Sequence, residues 1–284
     1  MTDALAKRFS PVHLTVLMQT KYEDQGAYSA ISARDWASDI LRERRPWLPS
    51  TPSTRENLRA YCTSDADVLD CYLAVMAWGR QDARPGGRKQ ARYTWCEHKE
   101  LIRDRLETLR SKQSNRTEAF GLFSGDNWVP GLGVAFFTKL LYFFAPQSTA
   151  GADRYILDRW TAISVNLLAG RRVINLSPAN AKDKPPNYVT RLNTPAIYEA
   201  YCTELEALAV ILNHRHSDAP LRVEDIELML FSSAGSGQWR QYVLRKWKEC
   251  APALPFSKNK VLDRACSLRT LLNSEPPLAS VSSE

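Results

Sequence analysis

Apolar residues along this chain recur mostly at every third or fourth position, which is the spacing of helices, and alternating strand-like runs are scarce. The segment Val68–Trp78 is apolar at most positions and predicts one such helix. Another begins at Thr194-Pro195, because proline is tolerated at the first position of a helix. Further helices are predicted at residues 97–110, 134–144, 223–231 and 238–250. The pattern therefore predicts an all-α fold, and we find no internal repeat.

Three segments between these helices are rich in turn-forming residues and are interpreted as loops, at positions 82–92, 146–153 and 177–187. The first holds a Pro-Gly-Gly turn surrounded by cations. These cations are Arg84, Arg88, Lys89 and Arg92. The polar residues 274–284 are predicted to form a disordered tail. Since no linker interrupts the rest, residues 1–273 are expected to form one domain.

The composition is that of an ordinary globular protein, with 44% hydrophobic and 24% charged residues. A length of 284 residues suits one large domain or two lobes that share a core. The net charge of +7 permits an anionic partner but does not require one, because a solvated basic surface produces the same excess. We expect a monomer.

The six cysteines form no C-x-x-C pair, so their spacing fits neither a zinc site nor an iron–sulfur cluster. His214-x-His216 offers a single ligand type, and we expect neither a metal nor another cofactor. The longest apolar stretch, near residues 136–145, is interrupted by Thr138 and Lys139 and is too short to span a membrane. The start of the chain has no apolar leader. These features predict a reduced, cytoplasmic protein that does not enter a membrane.

Residues 129–133, Val-Pro-Gly-Leu-Gly, form a glycine turn that leads directly into an apolar helix. Pro130 restricts its own backbone, while Gly131 and Gly133 can take positive φ and carry no side chain that would block a ligand. The first N–H groups of a helix lack intrahelical partners, and the helix dipole adds positive potential there. The turn therefore predicts a binding site for a DNA phosphate, formed by Pro130, Gly131 and Gly133.

This turn, the helix VAFFTKLLYFF and the following Ile156-Leu157-Asp158-Arg159 resemble the hairpin region of the helix-hairpin-helix DNA glycosylases. The closest likeness is to the bacterial 8-oxoguanine-glycosylase-like group, some members of which are similar to antiphage glycosylases. The likeness covers roughly forty residues, the size of one supersecondary unit, within about 115–165. It implies a two-lobed helical fold with double-stranded DNA and an extruded base in a cleft between the lobes.

The resemblance assigns catalysis to Asp158. Cleavage of a glycosidic bond passes through a positively charged sugar, which a nearby carboxylate stabilises while it orients or deprotonates the attacking water. An aspartate near a helix start is more commonly an N-cap, and Asp153 is expected to take that role here. Bifunctional members carry a lysine where this chain has Ala135, so a monofunctional enzyme is predicted. Lys139 lies one turn further on and is expected to contact a phosphate or, as the alternative, to act as the nucleophile.

Extrusion of a base requires a stacking surface and cations that hold the strand. The candidate stacking residues are Trp78, Trp128 and Trp160, although most tryptophans are core residues. The candidate strand contacts are Arg84, Arg88, Lys89, Arg92 and Arg159. The predicted substrate is a modified base, either an oxidised purine or a bulky phage base such as glucosylated 5-hydroxymethylcytosine. The alternative function is a non-catalytic helix-hairpin-helix protein that only binds DNA.

Overall fold

The computed structural model describes residues 7–20, 31–83, 86–112, 114–145, 153–177, 188–214, 220–231 and 238–250. These residues form helices and no β-sheet; one isolated antiparallel bridge joins Leu176 to Val189. The all-α prediction is therefore confirmed. The predicted loops cover residues 146–153 and 177–187, of which 146–152 and 178–187 lie outside the described residues, as does the predicted tail at 274–284.

The helices follow one another along the chain with short connections. We number them α1 Pro11–Gln19, α2 Ala33–Trp36 with a π-helical extension Ala37–Leu41, α3 Arg55–Thr63, α4 Val68–Trp78, α5 Gly87–Ser111, α6 Arg116–Gly121, α7 Val134–Phe143, α8 Arg159–Ala169, α9 Pro195–Asn213, α10 Val223–Phe231 and α11 Gln238–Cys250. The bounds of α4, α10 and α11 are those that the apolar pattern predicts. Thr194 caps α9 and Pro195 is its first residue, also as predicted.

Helix α4 lies at the centre of one group of helices. Each of its residues, Val68–Trp78, is buried, and it packs against α2, α3, α5 and α7. A helix that is apolar on all sides is stable only when neighbours surround it. A second group packs around α8, which contacts α1, α9, α10 and α11. The two-lobed arrangement with a cleft stays a prediction.

Helix α5 begins ten residues earlier than the charge pattern predicts, and the predicted loop is therefore wrong for residues 87–92. Its N-cap is Gly86, whose positive φ of 76° ends the preceding turn. Ala91 and Trp95 continue the buried stripe of the helix toward its start. Because the charged residues lie on the exposed face, the basic segment resembles a loop in sequence although it is helical.

Candidate active site

The glycine turn before α7 is a type II β-turn. The Leu132 N–H donates to the Val129 carbonyl over 3.0 Å, and Gly131 has a φ of +83°. A β-carbon on Gly131 would lie 2.0 Å from the Thr94 hydroxyl, which donates to the Pro130 carbonyl over 3.1 Å. Glycine is therefore required there both by backbone conformation and by the close approach of α5. Gly133 has an ordinary φ of −67°, so the expected positive φ applies to Gly131 alone.

Helix α7 starts without a side-chain cap. Gly133 occupies the N-cap position, and no side chain accepts a hydrogen bond from the first turn. At this turn, the backbone N–H groups of Gly131, Gly133, Val134 and Ala135 donate a hydrogen bond to no residue that the structure describes. Backbone N–H groups without partners at a helix start, where the helix dipole is positive, can bind a phosphate.

Residues 155–158 precede α8 and have no regular secondary structure, and side chains bind the backbone at each of these residues. These bonds are between 2.7 and 3.1 Å long. The side chains come from four helices and are Thr138, Thr161, Tyr198, Tyr201 and Glu227. A buried segment outside regular secondary structure needs such bonds, because peptide groups without hydrogen-bond partners are costly to bury. The segment therefore holds its last residue, Asp158, in one position.

Asp158 is the N-cap of α8. Its Oδ1 accepts hydrogen bonds from the N–H groups of Trp160 at 2.7 Å and Thr161 at 2.9 Å. The residue is 9% exposed, and no described group donates a hydrogen bond to its Oδ2. One oxygen thus orients the carboxylate while the other is available to a ligand. The prediction that Asp153 is the cap is wrong, because α8 begins after Asp158 and Asp153 instead accepts from Arg116 through its carbonyl.

Lys139 is buried beside Asp158. Only 7% of the residue is exposed, its Nζ donates to the Ala135 carbonyl over 2.9 Å, and its stem lies against Gly79. The amine thereby lies at Ala135, in the first turn of α7. The expected phosphate contact of Lys139 stays a prediction.

A buried ion pair that the sequence analysis missed lies in the same region. Arg55 Nη2 and Glu227 Oε1 are 2.7 Å apart, and the Arg55 guanidinium lies 4.9 Å from the centre of the Tyr142 ring. The other Glu227 oxygen accepts from the Ile156 N–H. One signal in the sequence could have identified Glu227. It is an acidic residue on the apolar face of α10, between Ile226 and Leu230.

Four charged groups therefore influence one another at this site. Burial lowers the pKa of Lys139 below 10.5, the carboxylates of Asp158 and Glu227 raise it, and Arg55 lowers it further. Burial likewise raises the pKa of Glu227, although its pairing with Arg55 opposes the change. Titratable groups of both signs with shifted pKa values are common where proteins perform acid–base or nucleophilic chemistry.

The three candidate stacking residues have different surroundings. Trp78 is buried with its edge against Phe143, and Trp128 packs against the core. Trp160 is half-buried next to Asp158, and the guanidinium groups of Arg159 and Arg240 lie 4.6 and 4.1 Å from its ring centre. The structure therefore does not support Trp78 as an open stacking face. At Trp160, two cations already lie over the indole. The assignment of Arg159 to DNA binding stays a prediction.

The cations of the predicted loop at 82–92 lie partly on a helix, because α5 begins at Gly87. Arg88 and Lys89 are exposed on the first turn of α5, while Arg92 is half-buried and donates to the Ile40 carbonyl. Arg92 thus connects α5 to the end of α2. The DNA contacts of Arg88, Lys89 and Arg92 stay predictions. Arg84 lies outside the described residues.

In the parts of the chain that the structure describes, no group of three or more histidine, cysteine, aspartate or glutamate side chains could hold a metal ion. Among the same residues, no helix is long and apolar enough to cross a membrane. His214 follows the end of α9, and His216 lies outside the described residues.

Comparison with known proteins gives one match. The family model described as "Putative 8-oxoguanine DNA glycosylase OGG-like protein" matches residues 24–231, which is well over half of the chain. Neither the curated proteins nor the solved structures include a match to this chain. The matched residues contain the glycine turn, Lys139, Asp158 and the Arg55–Glu227 pair, whereas α1 and α11 lie outside them.

Proposed function

This chain belongs to the family described as "Putative 8-oxoguanine DNA glycosylase OGG-like protein", and we propose that it extrudes a modified base from double-stranded DNA and releases it, leaving an abasic site. In this proposal the turn before α7 binds a backbone phosphate through its bare N–H groups. Asp158 then faces the deoxyribose of the extruded nucleotide.

The observation that carries the proposal is the connection between these two parts. Thr138, on the second turn of α7, accepts a hydrogen bond from the N–H of Leu157 at 3.1 Å, immediately before Asp158. The start of α7 and Thr138 are four residues apart, or about 6 Å along a helix. The rise of a DNA strand is about 3.4 Å per nucleotide. A phosphate at the turn therefore leaves the sugar one or two nucleotides away within reach of the carboxylate.

The chemistry follows from the position of Asp158 Oδ2. As the bond between sugar and base breaks, positive charge develops on the sugar, and a fixed carboxylate stabilises it without having to reorient. The same oxygen can accept a proton from the attacking water. Burial strengthens the electrostatic part, since fewer water molecules screen the charges.

The released base identifies the substrate class. We propose an oxidised purine or a hypermodified phage base, which correspond to roles in repair and in antiphage defence. The protein should be incubated with duplexes that contain 8-oxoguanine and with phage DNA that carries glucosylated 5-hydroxymethylcytosine, and the free bases identified by mass spectrometry. We expect one modified base to be released and unmodified DNA to remain intact. DNA binding without release of any base would leave the non-catalytic DNA-binding protein as the better description.

The position of Lys139 favours a second activity, cleavage of the strand at the abasic site. Its Nζ lies 2.9 Å from the Ala135 carbonyl oxygen, and its lowered pKa increases the fraction of neutral amine at neutral pH. We propose that this amine adds to C1′ of the opened abasic sugar and expels water. The iminium formed in this way allows elimination of the 3′ phosphate.

Borohydride tests this step, because its hydride reduces the iminium to a stable amine that joins protein to DNA. We expect a covalent adduct with wild-type protein whose yield rises with pH, with a midpoint below 10.5 because burial favours the neutral amine. Lys139→Met should abolish the adduct. Lys112→Met, at an exposed lysine, should not change it. Absence of a wild-type adduct would contradict the lyase step and leave a monofunctional glycosylase.

A further inference from the structure

Trp47 is exposed to an unusual extent for its residue type. Of the tryptophans that the structure describes it is the most accessible, with 65% of its surface exposed. It lies in the connection from α2 to α3, in the sequence Arg42-Glu-Arg-Arg-Pro-Trp47. Exposure of a large aromatic surface to water is unfavourable, so an indole held outward indicates a contact with another molecule.

The exposed indole is held in a fixed orientation. Its Nε1 donates to Asp70 Oδ2 over 2.7 Å, and Asp70 is itself buried at the start of α4. The other oxygen of Asp70 accepts from Arg45 over 2.6 Å. Next along the chain, Leu48 is fully buried and its carbonyl accepts two bonds from Arg34. Because the ring is already ordered, a partner that stacks on it loses little further entropy.

The charges that this connection presents to solvent are positive. Arg42 and Arg44 are exposed, and their guanidinium groups form no ion pair with a described residue. The one acidic residue, Glu43, accepts from the Trp95 indole N–H over 2.9 Å. Arg42 also has a positive φ of 65°, which is uncommon for a residue with a side chain. An exposed aromatic face on the same short connection as two exposed cations matches the bases and phosphates of a nucleic-acid strand.

The connection lies close to the proposed phosphate site, because both pack on neighbouring residues of α5. Thr94 donates to the Pro130 carbonyl of the glycine turn, and Trp95 donates to Glu43. A duplex that is bound at the turn extends over many nucleotides. Trp47 can therefore reach the same DNA molecule.

We propose that Trp47 stacks on a base left unpaired by extrusion of its partner nucleotide, while Arg42 and Arg44 bind the flanking phosphates. The inference rests on the proposed glycosylase function and adds a second, separate DNA contact to it. A stacked indole compensates for the base pair and the stacking that extrusion removes, and so favours the open DNA.

Two duplexes test the inference, one fully paired and one with a tetrahydrofuran abasic analogue that leaves a single base unpaired. We expect Trp47→Ala to bind the abasic duplex roughly tenfold more weakly than wild type does, with a smaller change for the paired duplex. Tyr188→Ala, which removes another exposed aromatic residue, serves as the matched control and should bind normally. Arg42→Ala with Arg44→Ala should lower the slope of log affinity against log salt by about two.

Acrylamide quenching tests the same contact in the wild-type protein and does not depend on how well a variant folds. We expect the abasic duplex to reduce acrylamide quenching of the accessible part of the tryptophan fluorescence. That accessible part should be absent from Trp47→Phe. Unchanged affinities together with unchanged quenching would overturn the inference, and so would protection by a higher protein concentration without DNA. Release of a base by wild type would in either case leave the proposed function standing. Failure of wild type to bind any duplex would instead remove the proposed function.

Discussion

Asp158→Asn is expected to reduce base release by about 10²- to 10³-fold while the protein folds and binds DNA as before. Asparagine is as good an N-cap as aspartate, so the bonds from Trp160 and Thr161 to Oδ1 can persist. The substitution removes the negative charge of the carboxylate, whose Oδ2 accepts no hydrogen bond from a described residue. Single-turnover release of the base at saturating DNA measures this loss without a contribution from binding.

Two further variants separate catalysis from capping at this position. Asp158→Ala should also lose the cap, which costs about 1 kcal/mol of stability, and its melting temperature should fall. Asp153→Asn lies five residues earlier, outside α8, and should release base at the wild-type rate. If Asp158→Asn released base as fast as wild type, the catalytic assignment would be wrong, and the role of Asp158 would be to cap α8.

Glu227→Leu is expected to reduce the free energy of unfolding by about 3 kcal/mol. Removing one partner of a buried ion pair costs about 3–5 kcal/mol because the remaining charge has no partner. We expect a loss at the lower end of this range, because the Arg55 side chain is 18% exposed and water can partly solvate its charge, whereas the Glu227 side chain is 1% exposed. The substitution also removes the acceptor for the Ile156 N–H, two residues before Asp158. Urea denaturation gives the change directly.

A double-mutant cycle identifies the origin of that loss. Arg55→Met combined with Glu227→Leu should recover much of the stability, because no unpaired charge is then left in the interior. The double variant should still release base slowly, because the backbone of Ile156 has lost its partner. Equal stability of Glu227→Leu and wild type would show that the pair contributes little and that Arg55 is adequately hydrated without it.

Local features of the sequence were sufficient to predict several parts of this molecule. The apolar spacing gave the bounds of α4, α10 and α11, and Thr194-Pro195 marked the start of α9. The Pro-Gly sequence predicted the turn before α7, because type II turns depend on residues that are adjacent in the chain. These predictions succeeded because periodicity and turn chemistry act over a few neighbouring residues. The prediction from the charge pattern was wrong at the start of α5. The exposed cations there indicate a loop, although the segment is helical and packs on the core through Ala91 and Trp95.

The candidate site itself depends on contacts between distant parts of the chain. The sequence identified Asp158 by its resemblance, but only the folded chain leaves one of its oxygens without a described donor. Only the packing of α7 against α4 buries Lys139 beside Gly79. Arg55 and Glu227 are 172 positions apart and join α3 to α10, and Glu227 also accepts a hydrogen bond from the segment that ends at Asp158. Burial and pairing of charges are set by which helix faces come together, and the spacing of residues along one helix does not contain that information.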